Sequence, residues 1–301
     1  MPDIECLRTP DDRFADLDGW DYPANYVDDL PGYIDMRVHY VDAGPSDADH
    51  IVLCLHGEPS WAYLYRKMIP VFVESGARVI APDWLGFGRS DKPIDDAVYR
   101  FDFHRDMIIA LIERLDLQNI TLVVQDWGGV LGLTLPHQMP ERFSRLLIMN
   151  TALAVGKTPG PGFLAWKAFN AANPDLDVGG LMKRSTPILS KGEVAAYDAP
   201  FPDQRFKAGV RRFPELVMVE PDMEGVEVSK RAAKFWREEW QGESFMAIGR
   251  KDPVLGVETM MAMKSLIRNC PDPLMVEDAG HFVQEWGEDI AKAALESWGL
   301  K

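Results

Sequence analysis

Seven short apolar runs alternate with longer amphipathic segments along the chain. The last six runs are nearly continuous in Val, Ile, Leu and Met, a pattern typical of strands buried on both faces of a sheet. The first run predicts a hairpin-like start to that sheet. The runs span residues 33–44, 50–57, 78–84, 120–126, 145–150, 244–249 and 273–280.

Segments with helical periodicity lie between several of these runs. Residues 103–117 and 288–300 place apolar side chains three and four positions apart, which predicts amphipathic helices. Strands that alternate with helices form a parallel sheet covered by helices on both faces. The fold class predicted is therefore α/β, with a mostly parallel, doubly wound sheet.

The alternation is interrupted once, between residues 150 and 244. This stretch is rich in Pro, Gly and aromatic residues and contains no clear strand. We predict that residues 151–221 form an inserted helical cap domain, and that a returning helix follows at residues 229–240. Residues 1–150 and 222–301 then form the core domain.

Composition narrows the classes of function. The 301 residues are 47% hydrophobic, enough for a large core, and 32 basic against 47 acidic residues give a net charge of −15. Such a charge repels phosphate backbones, so no nucleic-acid partner is expected. Three widely spaced cysteines, no membrane-length apolar run and an acidic start without a signal-peptide core predict a cytoplasmic protein with no membrane partner.

Asp126 stands where the run "ITLVV" ends and the glycines of "DWGG" begin. An aspartate there could simply cap the following helix. The position also resembles the nucleophile elbow, a strand-to-helix corner that projects its side chain outward. That elbow normally has small residues two positions before and after the nucleophile, and Gly128 fits this pattern whereas Val124 does not.

A histidine and a second acid follow Asp126 in the order expected for such a site. His281, in the loop after the last apolar run, is the candidate base. Asp252, after the run at 244–249, is the preferred acid, because Asn150 at the other candidate position cannot carry a negative charge. Asp278 and Glu277 lie near His281 and are expected to form caps or salt bridges instead.

An oxyanion hole is predicted from the segment "HGEP". It follows an apolar run, where hydrolases place a loop whose backbone N–H groups face the nucleophile. The two amides would belong to Glu58 and Trp127. A turn containing Gly and Pro is common, so this segment alone is weak evidence for an oxyanion hole. It becomes informative because it precedes Asp126, Asp252 and His281 in the order expected for a hydrolase.

At this point several motifs resemble the haloalkane dehalogenases, and the similarity runs along nearly the whole chain. The closer match is the subgroup that has its acid after the seventh strand and a second halide-binding tryptophan in the cap. The motifs are "HGEPSW", "GFGRSDKP", "VVQDWGG", "AWKAF", "AIGRKD" and "AGHFVQEWGE".

The resemblance implies hydrolysis of a carbon–halogen bond to an alcohol, a halide ion and a proton, with no cofactor and no metal. Asp126 would be the nucleophile, His281 the base and Asp252 its partner, while Trp127 and Trp166 would bind the halide. Other members of the family use an Asn in place of Glu58. An ionised glutamate there would repel the halide, so the second halide-binding donor would have to be Trp166.

The expected partners are small: a halogenated alkane and water as substrates, and a halide ion as product. The resemblance favours short terminal chloro- and bromoalkanes, and a monomer is the default expectation for assembly.

Apolar residues from the cap and neighbouring loops are candidates for the pocket wall. They are Phe163, Phe169, Phe213, Pro214, Val217 and Leu255.

Two other functions share much of this pattern. An epoxide hydrolase would use the same Asp, His and acid but needs cap tyrosines, and residues 151–221 contain one, Tyr197. A fluoroacetate dehalogenase would carry arginines just after the nucleophile, where "DWGGV" has none. A ligand receptor that has lost catalysis would tolerate loss of a triad member, yet all three are present.

Overall fold

A sheet of eight strands forms the centre of the molecule in the computed structural model, which describes residues 4–300. Its order is β10-β9-β8-β7-β4-β5-β3-β2, and a separate pair joins β1 to β6. In chain order the strands are β1 (Cys6–Leu7), β2 (Asn25–Val27), β3 (Val38–Ala43), β4 (Ile51–Leu55), β5 (Arg78–Pro82), β6 (Lys92–Pro93), β7 (Ile120–Val124), β8 (Phe143–Met149), β9 (Glu243–Gly249) and β10 (Leu274–Val276).

The predicted sheet is confirmed, with one difference at its start. All six of the later runs contain strands that pair in parallel. The first run supplies only β3, which pairs antiparallel with β2 on one side and β5 on the other. The partner that completes the hairpin therefore lies before the predicted run. Residues 33–37 are occupied by a turn, in which Asp35 has a positive φ of 70°.

Ten α-helices lie in the part of the chain that the structure describes. Helices α2, α8 and α10 correspond to the segments predicted at 103–117, 229–240 and 288–300. The helices are α1 (Ile69–Glu74), α2 (Phe101–Arg114), α3 (Trp127–Gly132), α4 (Pro161–Ala172), α5 (Val178–Ser185), α6 (Lys191–Asp198), α7 (Ala208–Leu216), α8 (Val226–Glu238), α9 (Val257–Leu266) and α10 (Gly287–Ser297).

The central strands are covered on both faces. Every residue of β4 and β7 is buried. Because successive side chains of a strand point to opposite faces, complete burial requires helices or loops on both sides. Helix α3 packs on β4 and β7, and α10 packs on β9. This arrangement brings the carboxyl ends of the parallel strands to one edge, where α/β sheets bind their ligands.

The segment between β8 and β9 contains α4 to α8 and, among the described residues, no strand. Within it α5 packs against α6, and α4 packs against α7. The division into a core of residues 1–150 and 222–301 and a cap of residues 151–221 stays a prediction, and residues 1–3 and 301 of that core lie outside the described part. No helix within residues 4–300 has the length and apolarity needed to cross a membrane.

Candidate active site

Asp126 occupies a strained corner between β7 and α3. Its φ of 49° and ψ of −126° lie outside the regions that L-residues favour. The Thr151 hydroxyl donates to the Asp126 carbonyl over 2.7 Å and so supports the corner. A side chain at position 128 would lie 1.9 Å from the Leu55 carbonyl oxygen, which explains the glycine there. The corner has the geometry of a nucleophile elbow.

The Asp126 carboxylate faces the loop that follows β4. The Glu58 backbone N–H donates to its Oδ1 over 2.8 Å. A Cβ on Gly57 would lie 2.5 Å from the Asp126 side chain, so only glycine permits this approach. Trp127 begins α3, and the first N–H groups of a helix have no partner within it. Of the two amides predicted for an oxyanion hole, that of Glu58 therefore contacts the carboxylate, and that of Trp127 belongs to the next residue along the chain.

His281 lies between two carboxylates. Its Nε2 is 3.5 Å from Asp126 Oδ2, and its Nδ1 is 2.8 Å from Asp252 Oδ2. Burial disfavours the charged imidazolium, but Asp252 and Asp126 outweigh it and raise the pKa of His281 well above its ordinary value. The chain thus brings Asp126, His281 and Asp252 together in the order of a nucleophile, a base and an acid.

Asp252 is held as a carboxylate by its surroundings. Burial disfavours its charge, but the neighbouring His281 and the N–H groups of Val254 and Leu255 lower its pKa below the ordinary value. Those two N–H groups donate to its Oδ1 over 2.8 and 3.1 Å. A buried carboxylate that faces His281 Nδ1 can orient the ring and stabilise the imidazolium.

Two residues that the sequence analysis did not select support this arrangement. The Asn150 side-chain amide donates to Asp252 Oδ2 over 3.0 Å, and its carbonyl oxygen accepts from the Gly249 N–H over 2.8 Å. The Gln125 amide donates to the backbone oxygen of His281 over 3.1 Å. Asn150 had been considered only as an acid, and its position at the end of β8 was the signal available in the sequence.

The two rival acids near His281 are engaged elsewhere. Asp278 pairs with Lys251 at 2.7 Å and Glu277 pairs with Arg250 at 2.9 Å, and all four side chains are exposed. These are the surface salt bridges expected for them.

A large cavity opens beside the Asp126 carboxylate. Its volume is about 1260 Å³, and Glu58, Trp127, Trp166 and His281 line it together with Asp126. Neither Trp127 nor Trp166 donates its indole N–H to a residue between 4 and 300, so both donors are available to a ligand. No group of three or more His, Cys, Asp or Glu side chains in that range could hold a metal ion.

Five of the six residues expected in the pocket wall line the cavity, and Phe213 does not. Phe213 is fully buried in α7 and packs edge-on against Trp127, with ring centroids 4.8 Å apart. It therefore packs against the Trp127 indole and does not face the cavity. The spacing of residues in α7 could not predict this. Phe169, 43% exposed, contributes to the wall beside Trp166. The five lining residues are Phe163, Phe169, Pro214, Val217 and Leu255.

The cap tyrosine is not placed for epoxide chemistry. Tyr197 is fully buried, and its hydroxyl donates to Glu285 rather than into the cavity. An epoxide hydrolase requires a phenol that can donate to the epoxide oxygen, so the geometry disfavours that alternative.

The corner, the histidine and the buried acid at the carboxyl edge of a parallel sheet define an α/β hydrolase, and residues 50–288 match the family model described as the alpha/beta hydrolase fold. Within that class the chain belongs to the haloalkane dehalogenases. It is 42% identical to the haloalkane dehalogenase of Psychrobacter cryohalolentis over 97% of this chain and 98% of the relative. The enzyme of Mycolicibacterium paratuberculosis is 40% identical over 98% of each.

Solved structures agree with this assignment. The haloalkane dehalogenase DpaA from Paraglaciecola agarilytica superposes with a TM-score of 0.96 at 52% identity, covering 98% of this chain and 99% of that one. DbeA from Bradyrhizobium elkani, at 22% identity, shares the fold with a TM-score of 0.77 over 92% of this chain and 97% of its own. The DpaA structure is tetrameric, which conflicts with the monomer expected for this chain.

Proposed function

We propose that this enzyme hydrolyses haloalkanes to a primary alcohol, a halide ion and a proton through a covalent alkyl ester of Asp126. The observation that carries the proposal is the strained corner that presents the Asp126 carboxylate to an apolar cavity, with His281 Nε2 3.5 Å from its Oδ2. A carboxylate is already anionic at neutral pH, so it can attack without a base, whereas a serine must first lose its proton.

In the first step Asp126 displaces the halogen from an sp³ carbon. A bond forms between a carboxylate oxygen and that carbon, and the carbon–halogen bond breaks with its electron pair leaving on the halide. The N–H groups of Trp127 and Trp166 stabilise the anion, since an indole donates a hydrogen bond and offers no competing acceptor. The substrates are a halogenated alkane and, in the next step, water, and neither a cofactor nor a metal takes part.

In the second step water opens the ester. His281 takes a proton from the water as its oxygen attacks the carboxyl carbon of Asp126, and Asp252 stabilises the imidazolium. The amides of Glu58 and Trp127 hold the oxyanion, and its collapse releases the alcohol. Esterification removes the Asp126 charge that helps to raise the pKa of His281, so the imidazole becomes easier to deprotonate when it is needed as a base.

The substrate pocket is formed by two parts of the chain. We assign residues 151–221 to a cap that supplies Trp166 and part of the apolar wall, and the remaining residues to the core that supplies the triad. Apolar walls favour an uncharged alkyl chain and exclude water from the nucleophile.

The test is intact-mass spectrometry of His281→Gln after incubation with 1-bromobutane. We expect one alkyl group to be added per chain and turnover to stop, because the first step needs no base while the second does. Asp126→Asn is the matched control and should acquire no adduct.

Absence of an adduct in His281→Gln, with an active wild-type enzyme, would rule out the ester. Styrene oxide serves as a parallel substrate, and epoxide opening without halide release from any haloalkane would favour an epoxide hydrolase.

The state of assembly is a separate proposal. On the strength of 52% identity to the tetrameric DpaA, we propose that this chain also forms a tetramer. Sedimentation velocity should give a mass near four times the chain mass of 33.9 kDa. A single species with the mass of one chain, at concentrations used for assays, would restore the expectation of a monomer.

A further inference from the structure

The Glu58 side chain has no place in the mechanism so far, which uses only its backbone. Glu58 is 5% exposed and lines the cavity beside Asp126. Its Oε1 is sealed from solvent and has no hydrogen-bond partner in the described part of the chain. A buried polar atom without a partner is costly, and a buried charge without one costs far more. The burial of Glu58 therefore makes the protonation state of its carboxyl group important.

The charges around Glu58 oppose its ionisation. The charges that act on it directly are the Asp126 carboxylate and His281, and no cation forms a salt bridge with it within residues 4–300. Burial and the Asp126 charge raise the pKa of Glu58 well above its ordinary value, and the lowering effect of His281 is smaller. The other ionisable groups that line the cavity, Lys157, Arg184, Lys251 and Asp278, are solvent-exposed.

We propose that Glu58 works as a neutral carboxylic acid whose O–H donates a hydrogen bond to the departing halide, as a third donor beside the two indoles. The inference deepens the proposed function and rests on it. Its geometric basis is the place of Glu58 in the cavity wall together with its closed-off Oε1, which suits an unprotonated carbonyl oxygen, so the proposal assigns the proton to the other oxygen. The anion formed in the first step is the acceptor for this donor.

A neutral Glu58 also explains how a glutamate can stand beside the place where the halide is released. An ionised glutamate beside the nucleophile would repel the halide and disfavour its formation. A neutral acid instead presents an O–H donor to that anion. Trp166 then shares the halide with Glu58.

The test measures bromide binding by titration calorimetry at constant ionic strength, from about pH 6 to about pH 10. The measurement uses His281→Gln, because this background removes the imidazolium, which would itself attract bromide and titrate. We expect the bromide Kd to increase as pH rises through the Glu58 pKa, by at most about tenfold per pH unit for the loss of one proton. His281→Gln/Glu58→Gln should bind with no such dependence, since the amide stays neutral.

A third protein, His281→Gln/Glu58→Leu, covers the case in which Glu58 stays protonated throughout the range. It should bind bromide at least tenfold more weakly than the Gln double variant at every pH, because leucine offers no donor at position 58 and only the two indoles remain. If one of these variants does not fold, infrared difference spectra of His281→Gln with and without bromide give the second measurement. The carbonyl stretch of a protonated carboxyl should be present and should shift when bromide is added.

Equal bromide affinity and equal pH dependence in all three proteins, or no protonated carboxyl that responds to bromide, would overturn the inference. Bromide binding requires no ester, so the two proposals fail separately. An alkyl adduct in His281→Gln together with equal bromide affinities would refute only the role of Glu58. Absence of the adduct would refute the proposed function itself.

Discussion

The partner of the indole N–H and a place in the cavity wall together separate the tryptophans that pack from those available to a ligand. Trp61, Trp84 and Trp236 are fully buried and donate their N–H groups to backbone carbonyls of the chain. Trp127 and Trp166 line the cavity and donate to no residue in the described range. An indole without an internal acceptor is free to bind an anion. At the scale of the residue, the N–H partner and the position of the ring relative to the cavity therefore have to be considered together.

Trp166→Phe is expected to reduce kcat/KM for a chloroalkane by about 10- to 100-fold, the value of one hydrogen bond to a charged group. Trp298→Phe is the matched control, because Trp298 is also an indole whose N–H has no partner but lies away from the cavity. Halide release measured under identical conditions compares the two. Equal losses would mean that Trp166 contributes only packing.

At the scale of the element, a buried ion-pair cluster ties helix α6 to two loops of the core. Arg66, from the loop after β4, donates to both oxygens of Glu285 over 2.7 and 2.6 Å. Glu193 and Tyr197 of α6 join the same cluster through Arg66 and Glu285. Glu285 lies four residues after His281. The cluster therefore connects helix α6 to the loop that carries the candidate base.

Arg66→Met is expected to lower the free energy of unfolding by about 3 kcal/mol, because it leaves the buried Glu285 carboxylate with Lys67 as its remaining cation. Urea unfolding measures the change. Lys292→Ala, which breaks the exposed pair with Glu288, is the control and should leave the urea midpoint unchanged. A midpoint for Arg66→Met equal to that of the control would show that the cluster contributes nothing to stability.

At the scale of the whole molecule, the volume of the cavity beside Asp126 bears on the range of substrates. The family resemblance favoured short haloalkanes, yet a volume of about 1260 Å³ exceeds the 300–1,000 Å³ of common ligand pockets. A longer alkyl chain can therefore bury more of its surface against the apolar wall.

We expect kcat/KM to increase by about fourfold per methylene from bromoethane through 1-bromobutane to 1-bromohexane, since each buried methylene contributes about 0.8 kcal/mol. Initial rates of bromide release at low substrate concentration give the comparison. A decline beyond the four-carbon substrate would mean that the usable part of the cavity is shorter than its volume indicates.

Local pattern predicted the strands and the chain order of the candidate site residues, and the family resemblance of the motifs predicted the class of enzyme. Apolar runs reveal buried strands because burial on both faces requires continuous hydrophobic side chains. Asp126, Asp252 and His281 were found because each follows such a run, and the carboxyl ends of parallel strands meet at one edge. The hairpin partner β2 was missed because three residues carry too little periodicity to predict a strand.

Contacts between distant segments could be decided only by the tertiary structure. Asn150 holds Asp252 across 102 positions of the chain, Phe213 turns from the cavity to support Trp127, and Glu58 is buried without a partner. The electrostatic environment of a side chain depends on the charges and solvent that surround it in space. Sequence order does not contain that information, which is why candidate site residues could be proposed from the sequence whereas their electrostatic environment could not.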